Sequence, residues 1–471
     1  MMRKISFGTD GWRGILAEDF TFDNVRLVAA AVAQYLAARG LAERGVVVGY
    51  DTRFLSERFA AAVAEVLAGR GISVFLTRRA TPTPVVAFAV KLYRAGGAVM
   101  LTASHNPPEY NGFKFIPEYA GPALPHITGE IEANIRKLQE AGAEIAPPGG
   151  EKAPVTTIDP YDAYACHLAT LVDMGAIGRA GLKVAVDPMY GAGTGYLEEL
   201  LKQAGASVEV LHNHRDPLFG GTLPEPTAKS LGGLREAVAK GSAQLGLALD
   251  GDADRFGLVD SGGDFVTPNQ FLPVLLYHLI TVKGLRGPVA RTVATTHLLD
   301  RMAERHGLRL VETPVGFKYV GQCLAEEGAV LGGEESGGLS VKGHVPEKDG
   351  ILAGLLAAEM AAVHGKSLKE LLEQVYREYG RLYSERLDVH TSPAEKERVL
   401  EVLKGFEPEA LAGRKVTGRV TKDGVKLLLE GDAWVLIRPS GTEPLFRIYA
   451  EAGSAGEVKA VQADVLKQTG L

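Results

Sequence analysis

Asp250, Asp252 and Asp254 have the residue type and spacing of a metal site. Three carboxylates at alternate positions can converge on one hard cation, and Mg²⁺ prefers oxygen ligands. An EF-hand fails as an alternative, because Arg255 and Ser261 stand where its glycine and its bidentate glutamate would be. A solvated acidic turn is the ordinary alternative, but three aspartates directly after an apolar run favour the metal site.

Ser104 is a candidate nucleophile. It follows the small, apolar residues 95–101 and precedes Asn106 and Pro107, and a proline pushes the residue before it out of the helical region. Ser104 is therefore predicted where a buried strand gives way to a loop, which is where α/β proteins bind ligands. Alone, such a stretch is more often a turn without chemistry, and no G-x-S-x-G nucleophile elbow surrounds it.

Two further loops suit polar ligands. Residues 332–338 contain Glu334 and Ser336, whose side chains can bind hydroxyl groups while the glycines let a ligand approach the backbone. A flexible surface loop would have the same composition. Residues 438–444 offer a guanidinium fork, two hydroxyls and a glycine backbone N–H for a phosphate, from Arg438, Ser440, Gly441 and Thr442. A plain β-turn accounts for the glycine but not for the other three together.

Other patterns are ambiguous or excluded. Lys348 precedes a predicted helix and either approaches an anion or is a surface lysine. A dinucleotide fingerprint fails because its third glycine falls on Tyr196, and a P-loop fails because Met360 replaces its first glycine.

The elements that must position these residues repeat a pattern of apolar strand, turn and helix. Up to about residue 379 this order indicates three similar α/β units, the first with a parallel sheet covered on both faces. In that unit Ser56 is predicted to be a helix N-cap, and residues 141–156 a linker or edge excursion. From about residue 381 strands follow strands, which indicates a smaller α+β domain.

Composition narrows the class of protein. The 471 residues are 46% hydrophobic, enough for several cores, and their net charge of −6 argues against nucleic acid as a partner. The two cysteines, Cys166 and Cys323, form no disulfide framework. No secretory signal is seen, and the longest apolar run, about 351–363, is too short for a membrane span. We expect a cytoplasmic protein without a membrane partner, either monomer or homodimer.

Taken together, the four motifs resemble those of the α-D-phosphohexomutase family of phosphoglucomutases and phosphomannomutases. Their order and spacing match over the whole chain. The resemblance implies an α/β fold of three similar domains with mixed sheets around a central cleft, plus a smaller C-terminal α+β domain. The expected domains are 1–152 with the phosphoserine loop, 153–257 with the metal loop, 258–379 with the sugar loop, and 380–471 with the phosphate clamp, acting as a lid.

The resemblance also assigns roles to residues. It implies that Ser104 carries a phosphoryl group and forms the Mg²⁺ site with Asp250, Asp252 and Asp254. The reaction centre would include Arg13, His105, Lys114 and Arg255, with His105 either a base or a structural partner. The sugar phosphate would be bound by Thr313, Gly316, Glu334, Ser336, Lys348, Arg438, Ser440, Gly441 and Thr442.

The activity implied is interconversion of hexose 1-phosphate and hexose 6-phosphate, with glucose and/or mannose as the sugar. It would pass through a phosphoserine and a hexose 1,6-bisphosphate, with glucose 1,6-bisphosphate as activator. Gly338 replaces a histidine of many bifunctional members, and the 438–444 motif also occurs in glucosamine-phosphate mutases, so phosphoglucosamine mutase is the alternative. Outside mutases, a Mg²⁺ phosphatase would release free phosphate, and an inactive sugar-phosphate sensor would show no turnover.

Overall fold

The computed structural model describes residues 5–142, 152–440 and 444–471. The chain divides into two units. One unit comprises Met1–Thr267, Gly316–Gly332 and Ser336–Lys369. The other comprises Pro268–Val315, Gly333–Glu335 and Glu370–Leu471.

The first sheet contains the serine loop. Its strands are β1 (Trp12–Ile15), β2 (Val46–Tyr50), β3 (Val74–Thr77), β4 (Gly97–Leu101), β5 (Tyr110–Pro117) and β6 (Val155–Ile158). Its helices are α1 (Phe22–Ala38), α2 (Ser56–Gly69), α3 (Thr83–Tyr93) and α4 (Pro125–Glu140). The strand order is β1-β5-β4-β2-β3-β6. β2 is parallel to β3 and β4, but β5 is antiparallel to both β4 and β1, so the expectation of a purely parallel sheet is wrong.

Both faces of this sheet are buried, because alternate side chains of a strand point to opposite faces. Val46 and Val48 belong to the core that contains the inner residues of α1 and α2. Val47, between them, belongs to a separate core with Val86 and Val90 of α3. This explains why β2 is a continuous apolar run rather than an alternating one.

The second sheet contains the aspartate loop. Its strands are β7 (Lys183–Asp187), β8 (Ser207–Val210), β9 (Leu245–Leu249), β10 (Phe256–Asp260) and β11 (Asp264–Val266), in the order β11-β10-β9-β7-β8. The helices are α5 (Tyr161–Leu171), α6 (Met174–Ala180), α7 (Leu197–Gln203) and α8 (Gly232–Lys240). β9 and β10 are antiparallel, with Leu249 opposite Phe256. Residues 250–255 therefore form the connection of a hairpin.

The third sheet has the order β13-β12-β14-β15. These strands are β12 (Val289–Thr292), β13 (Leu310–Thr313), β14 (Leu331–Gly333) and β15 (Leu339–Val341). The accompanying helices are α9 (Pro268–Thr281), α10 (Leu298–Arg305), α11 (Phe317–Glu327), α12 (Gly350–His364) and α13 (Leu368–Tyr379). β12 and β13 are parallel, and Asp349 caps α12 by accepting a hydrogen bond from the Leu352 N–H.

The last sheet is antiparallel throughout. Its strands are β16 (Tyr383–His390), β17 (Ala410–Leu411), β18 (Arg414–Val420), β19 (Val425–Leu429), β20 (Ala433–Pro439) and β21 (Leu445–Ala452), in the order β16-β21-β20-β19-β18-β17. Helices α14 (Pro393–Lys404) and α15 (Ala455–Thr469) supply Val399 and Val461 to its core. The predicted fold class, α/β with mixed sheets and a C-terminal α+β domain, is confirmed.

Some local expectations need correction. Ser56 is not an N-cap: Leu55, with a φ of 61°, precedes α2, and the Ser56 hydroxyl instead donates to Asp51 at 2.9 Å. The predicted linker ends in the edge strand β6, and most of it lies outside the described residues. The domain boundaries stay a prediction. In the described ranges no single helix is long and apolar enough to cross a membrane; α12 and α13, bent by 77°, pass that test only as a pair, by length and composition.

Candidate active site

Ser104 lies in a strained, buried turn directly after β4. Its φ is 52°, in the left-handed region that residues other than glycine seldom adopt, and its side chain is almost fully buried. The Ser104 N–H donates to the Thr102 hydroxyl at 2.9 Å. Ser104 Oγ donates to Asp250 Oδ2 at 3.0 Å and lies 3.3 Å from His105 Nδ1. The two loops that sequence motifs selected separately are therefore in direct contact.

Arg53, which sequence reasoning missed, holds this turn through backbone carbonyls. Its fully buried guanidinium donates to the carbonyl oxygens of Ser104 (2.7 Å), Asn106 (2.6 Å), Pro107 (2.8 Å) and Tyr110 (3.0 Å). A guanidinium has five N–H donors in a rigid fork, so one side chain can fix four acceptors. The available signal was its place after β2, whose end adjoins that of β4.

The three aspartates form a buried group that suits a cation. One carboxylate oxygen from each of Asp250, Asp252 and Asp254 lies within 4.8 Å of the others, and all three residues are buried. Among the described residues, Asp252 Oδ1 and Asp254 Oδ1 have no hydrogen-bond donor. Buried anionic oxygens without donors are costly unless a cation binds them. The residues therefore fit a divalent metal.

Gly251 lets the aspartate loop reach the serine loop. A Cβ at position 251 would lie 2.6 Å from the Ser104 carbonyl oxygen, closer than real Cβ atoms come. Only glycine permits this approach without a shift of one backbone. The glycine between Asp250 and Asp252 is therefore needed for the close contact between the aspartate loop and the serine loop.

The electrostatics of the aspartates reflect their crowding. Burial, followed by the charges of Asp252 and Asp254, raises the pKa of Asp250 well above its ordinary value. Burial also acts to raise the pKa of Asp252, but Lys114 and the Thr83 hydroxyl at 2.6 Å outweigh it and lower that pKa to about 2. Repulsion among like charges at this spacing is what a bound cation would relieve.

Two lysines meet the acidic loop in what we call the Asp10 cluster, formed by Asp10, Lys114, Asp252, Asp254 and Lys348. Lys114 Nζ lies 2.9 Å from Asp10, 2.8 Å from Asp252 and 3.0 Å from Asp254. Lys348 Nζ lies 3.1 Å from both Asp10 and Asp254. Burial acts to raise the pKa of Asp10, but the two lysines outweigh it and hold that pKa well below its ordinary value. Asp10 was not singled out from the sequence.

Lys114 reaches this cluster from a strand that sequence reasoning missed. It lies on β5, opposite Met100 of β4, so the sheet register brings it beside the serine loop. Burial would lower the pKa of Lys114, but Asp10 and then Asp252 and Asp254 raise it above its ordinary value. The side chain is therefore a fixed positive charge against the aspartate loop that contacts Ser104.

The other predicted reaction-centre residues also adjoin the two loops. Arg13, on β1, donates through Nη1 to the side chain of Asn106. The Arg255 N–H donates to Asp250 Oδ1 at 3.0 Å, and its guanidinium lies 3.4 Å from Glu225. Burial, followed by Arg255 and Arg13, lowers the pKa of His105 well below its ordinary value, so a neutral imidazole is favoured.

The predicted substrate-binding residues divide between the two units. In the first unit, Gly316 precedes α11 with a φ of 127°, Ser336 is exposed, and Lys348 belongs to the Asp10 cluster. In the second unit, Thr313 and Glu334 are buried at strand ends.

The predicted phosphate clamp is described only in part. Arg438 Nε donates to Asp423 at 2.9 Å. Ser440 is buried, and its carbonyl oxygen accepts a hydrogen bond from Lys396 Nζ at 2.7 Å. Gly441 and Thr442 lie outside the described residues.

Four family models match the chain in sequence order. They are described as phosphoglucomutase/phosphomannomutase alpha/beta/alpha domain I, domain II, domain III and C-terminal domain. The matched residues are 4–142, 162–263, 267–379 and 390–468, respectively.

Individual relatives are similar over nearly their full lengths. A phosphoglucomutase from Komagataeibacter xylinus is 32% identical, over 98% of this chain and 90% of its own. A probable phosphoglucosamine mutase from Thermococcus gammatolerans is 34% identical, over 96% and 95%. The crystal structure of a putative phosphomannomutase from Thermus thermophilus has a TM-score of 0.87 and 37% identity, and the match covers 100% of both chains.

Proposed function

The chain belongs to the phosphoglucomutase/phosphomannomutase family of intramolecular phosphotransferases, and we propose that it interconverts hexose 1-phosphates and hexose 6-phosphates of glucose and mannose. The observation that carries the proposal is the contact of Ser104 Oγ with Asp250 at 3.0 Å, within a buried acidic group. A strained serine beside a cation site and fixed ammonium charges suits a phosphoryl carrier.

The proposed cycle starts from phosphorylated Ser104. The 6-hydroxyl of a hexose 1-phosphate attacks the phosphorus, the P–O bond to Ser104 breaks, and a hexose 1,6-bisphosphate forms while the hydroxyl proton is transferred to the released Ser104 Oγ. The sugar then turns over, and Ser104 Oγ takes the phosphoryl group from O1, which leaves hexose 6-phosphate and the phosphoserine. Glucose 1,6-bisphosphate would phosphorylate enzyme that has lost its phosphate, and so act as activator.

The residues of the first unit have distinct parts in this cycle. Asp250, Asp252 and Asp254, with Ser104 Oγ, would hold Mg²⁺, which would supply Lewis-acid stabilisation of the transferring phosphoryl oxygens. Lys114 and Arg13 would stabilise the same charge from fixed positions. Arg53 would keep Ser104 Oγ aimed at the aspartates in both half-reactions, through its hydrogen bonds to the turn.

Glucosamine phosphate is a second candidate substrate. A relative of similar identity is called a probable phosphoglucosamine mutase. We therefore propose phosphoglucosamine as the alternative substrate. In either case Glu334 and Ser336 would bind the sugar hydroxyls, and Arg438, Ser440, Gly441 and Thr442 the distal phosphate.

The test compares glucose, mannose and glucosamine 1-phosphates as substrates, each with Mg²⁺ and a trace of the matching bisphosphate. We expect 6-phosphate products from glucose and mannose, and no measurable turnover for Ser104→Ala. Ser207→Ala, an exposed serine on β8, is the matched control and should keep full activity. Full activity of Ser104→Ala would refute the phosphoserine cycle. Preference for the glucosamine ester would select the alternative, and release of free phosphate at the turnover rate would indicate a phosphatase.

A further inference from the structure

We propose that Asp423 is a positioning residue for sugar-phosphate binding, because it fixes the guanidinium of Arg438 and the backbone of Val315 at the same time. Asp423 lies in the turn between β18 and β19. Its Oδ2 atom accepts a hydrogen bond from Arg438 Nε at 2.9 Å and another from the Val315 N–H at 3.0 Å. The inference rests on the proposed function, since it takes Arg438 as a phosphate ligand.

The hairpin is built so that Asp423 can reach both partners. Gly424 follows it with a φ of 87°, and a Cβ at position 424 would lie 2.5 Å from the Ile437 carbonyl oxygen and 3.1 Å from the Arg438 Cα. The turn therefore lies directly against the strand that carries Arg438, which only glycine allows. On the other side of Asp423, Lys422 Nζ donates to the Glu312 carbonyl oxygen at 2.6 Å. These contacts attach the turn to the end of β13.

The hydrogen bond to Asp423 orients the guanidinium of Arg438 through Nε alone. Asp423 binds Nε, and a guanidinium has two terminal NH₂ groups that can form parallel hydrogen bonds to a phosphate. The Arg438 side chain is 16% exposed and that of Asp423 is 25% exposed, so the pair is partly shielded from water and less screened than a surface pair. A carboxylate on Nε therefore limits rotation of the guanidinium plane before substrate arrives.

The hydrogen bond from the Val315 N–H distinguishes Asp423 from an ordinary partner of Arg438. Val315 belongs to the Thr313–Gly316 loop, which we expect to fix the orientation of the sugar, and it is 123 positions from Arg438 in the sequence. One carboxylate oxygen thus sets the distance between a sugar-orienting loop and a phosphate ligand. Since a mutase must bind its sugar in two orientations with a phosphate in the clamp each time, this distance matters in both half-reactions.

The test uses Asp423→Ala and Asp423→Asn in the full-length enzyme, with glucose 1-phosphate as substrate and inorganic phosphate as competitive probe. We expect Asp423→Ala to raise KM and the inhibition constant of phosphate about tenfold, since the guanidinium of Arg438 loses the charge-assisted hydrogen bond that orients it. Asp423→Asn should lie between it and the wild type, because the amide oxygen can still accept from Val315. The phosphoserine content at Ser104 should stay within error in both variants, and both should keep a cooperative melting transition.

Asp432→Asn is the matched control. Asp432 lies at the next hairpin turn and pairs with Arg301 at 3.0 Å, so this variant removes a more exposed aspartate–arginine pair from the same unit. If Asp423→Ala and Asp432→Asn give the same phosphate constants, the positioning role is refuted. If the wild type proves inactive as a mutase, the proposed function fails, but calorimetric binding of phosphate to wild type and Asp423→Ala still decides the inference.

Discussion

At the scale of single residues, the site depends on charges that are buried and mutually compensated. Lys114 is almost fully buried, yet it remains cationic because three carboxylates surround it. Removal of any one partner of such a group leaves the others poorly compensated, which costs more than a surface pair would. Conservative substitutions here should therefore have larger effects than the same substitutions at the surface.

Asp252→Asn tests the importance of these buried charges by replacing one carboxylate oxygen with an amide nitrogen. The amide keeps the side-chain shape and can accept from Thr83 and Lys114, but it removes a charge from the proposed metal site. We expect kcat with Mg²⁺ to fall about a hundredfold or more, since metal stabilisation of a transition state contributes several kcal/mol. Steady-state kinetics over a Mg²⁺ titration is the measurement.

Asp264→Asn is the control for that substitution, because Asp264 is an exposed aspartate whose partner is the surface residue Lys369. It should leave kcat unchanged. Wild-type turnover in Asp252→Asn, or in wild-type enzyme after exhaustive chelation, would show that the aspartates serve another purpose.

At the scale of elements, the site is made where strand ends meet. The serine loop follows β4, the aspartate loop joins β9 to β10, and β5 brings Lys114 beside them. The two loops come together only because residue 251 lacks a side chain. Loop packing, and not only loop composition, therefore decides whether the aspartates can serve Ser104.

Gly251→Ala should separate the loops. The added methyl would meet backbone, which cannot move aside as a side chain can, and overpacking of this kind costs on the order of 1–3 kcal/mol. We expect a lower melting temperature and a drop in kcat of at least tenfold, from kinetics and calorimetry on the same preparations. Gly232→Ala, at a position where an added Cβ would have no atom within 4 Å, should change neither. Equal behaviour of the two variants would contradict the close-approach explanation.

At the scale of the whole molecule, the second unit joins distant parts of the chain through buried charges. Lys426 Nζ, on β19, donates to the Val293 carbonyl oxygen at 2.8 Å and to Glu312 at 3.0 Å, and lies over the Trp434 ring. Arg291 contacts the same Glu312 at 2.8 Å. The last sheet is thereby attached to β12 and β13 within this unit. The strand β20, which carries Arg438, takes part through Trp434, whose ring packs against Lys426. Movement of the last domain as a lid would therefore have to keep or break these contacts.

This network should make stability depend on pH. Burial, followed by the charge of Arg291, lowers the pKa of Lys426 to about 8 against the opposing effect of Glu312. Between pH 8 and the ordinary lysine pKa of about 10.4 the unfolded chain then binds one more proton, so the free energy of unfolding rises with pH, by up to about 1.4 kcal/mol per unit. In Lys426→Met this rise of the free energy of unfolding between pH 8 and about 10.4 should be absent.

Urea unfolding at several pH values measures this dependence of the free energy of unfolding on pH. The Trp12→Phe background leaves Trp434 as the single tryptophan, so its fluorescence reports the second unit. Lys415→Met, an exposed lysine on β18, should keep the wild-type slope. Parallel stability curves for wild type and Lys426→Met would mean that the Lys426 pKa is not lowered.

Local features could be predicted without the structure: the strand ends that carry Ser104 and the aspartates, the change to an α+β domain, and the family. The local features follow from apolar periodicity and turn residues within a few positions of one another, and the family follows from four short motifs in matching order along the chain. The apolar patterns predict strands over 46–51 and 245–249 and a helix over 350–364, and the observed β2, β9 and α12 differ from these bounds by at most one residue.

Which distant residues share the site could be read only from the folded chain. β5 has no regular alternation, so its Lys114 could not be placed, and its antiparallel pairings with β4 and β1 were missed as well. Asp10, Arg53 and Asp423 look like ordinary loop residues in sequence, because each has a partner more than 50 positions away, namely Lys114, Ser104 and Val315. Burial of a charge and the hydrogen bonds that compensate it are properties of packed segments, and no short stretch of one chain contains them.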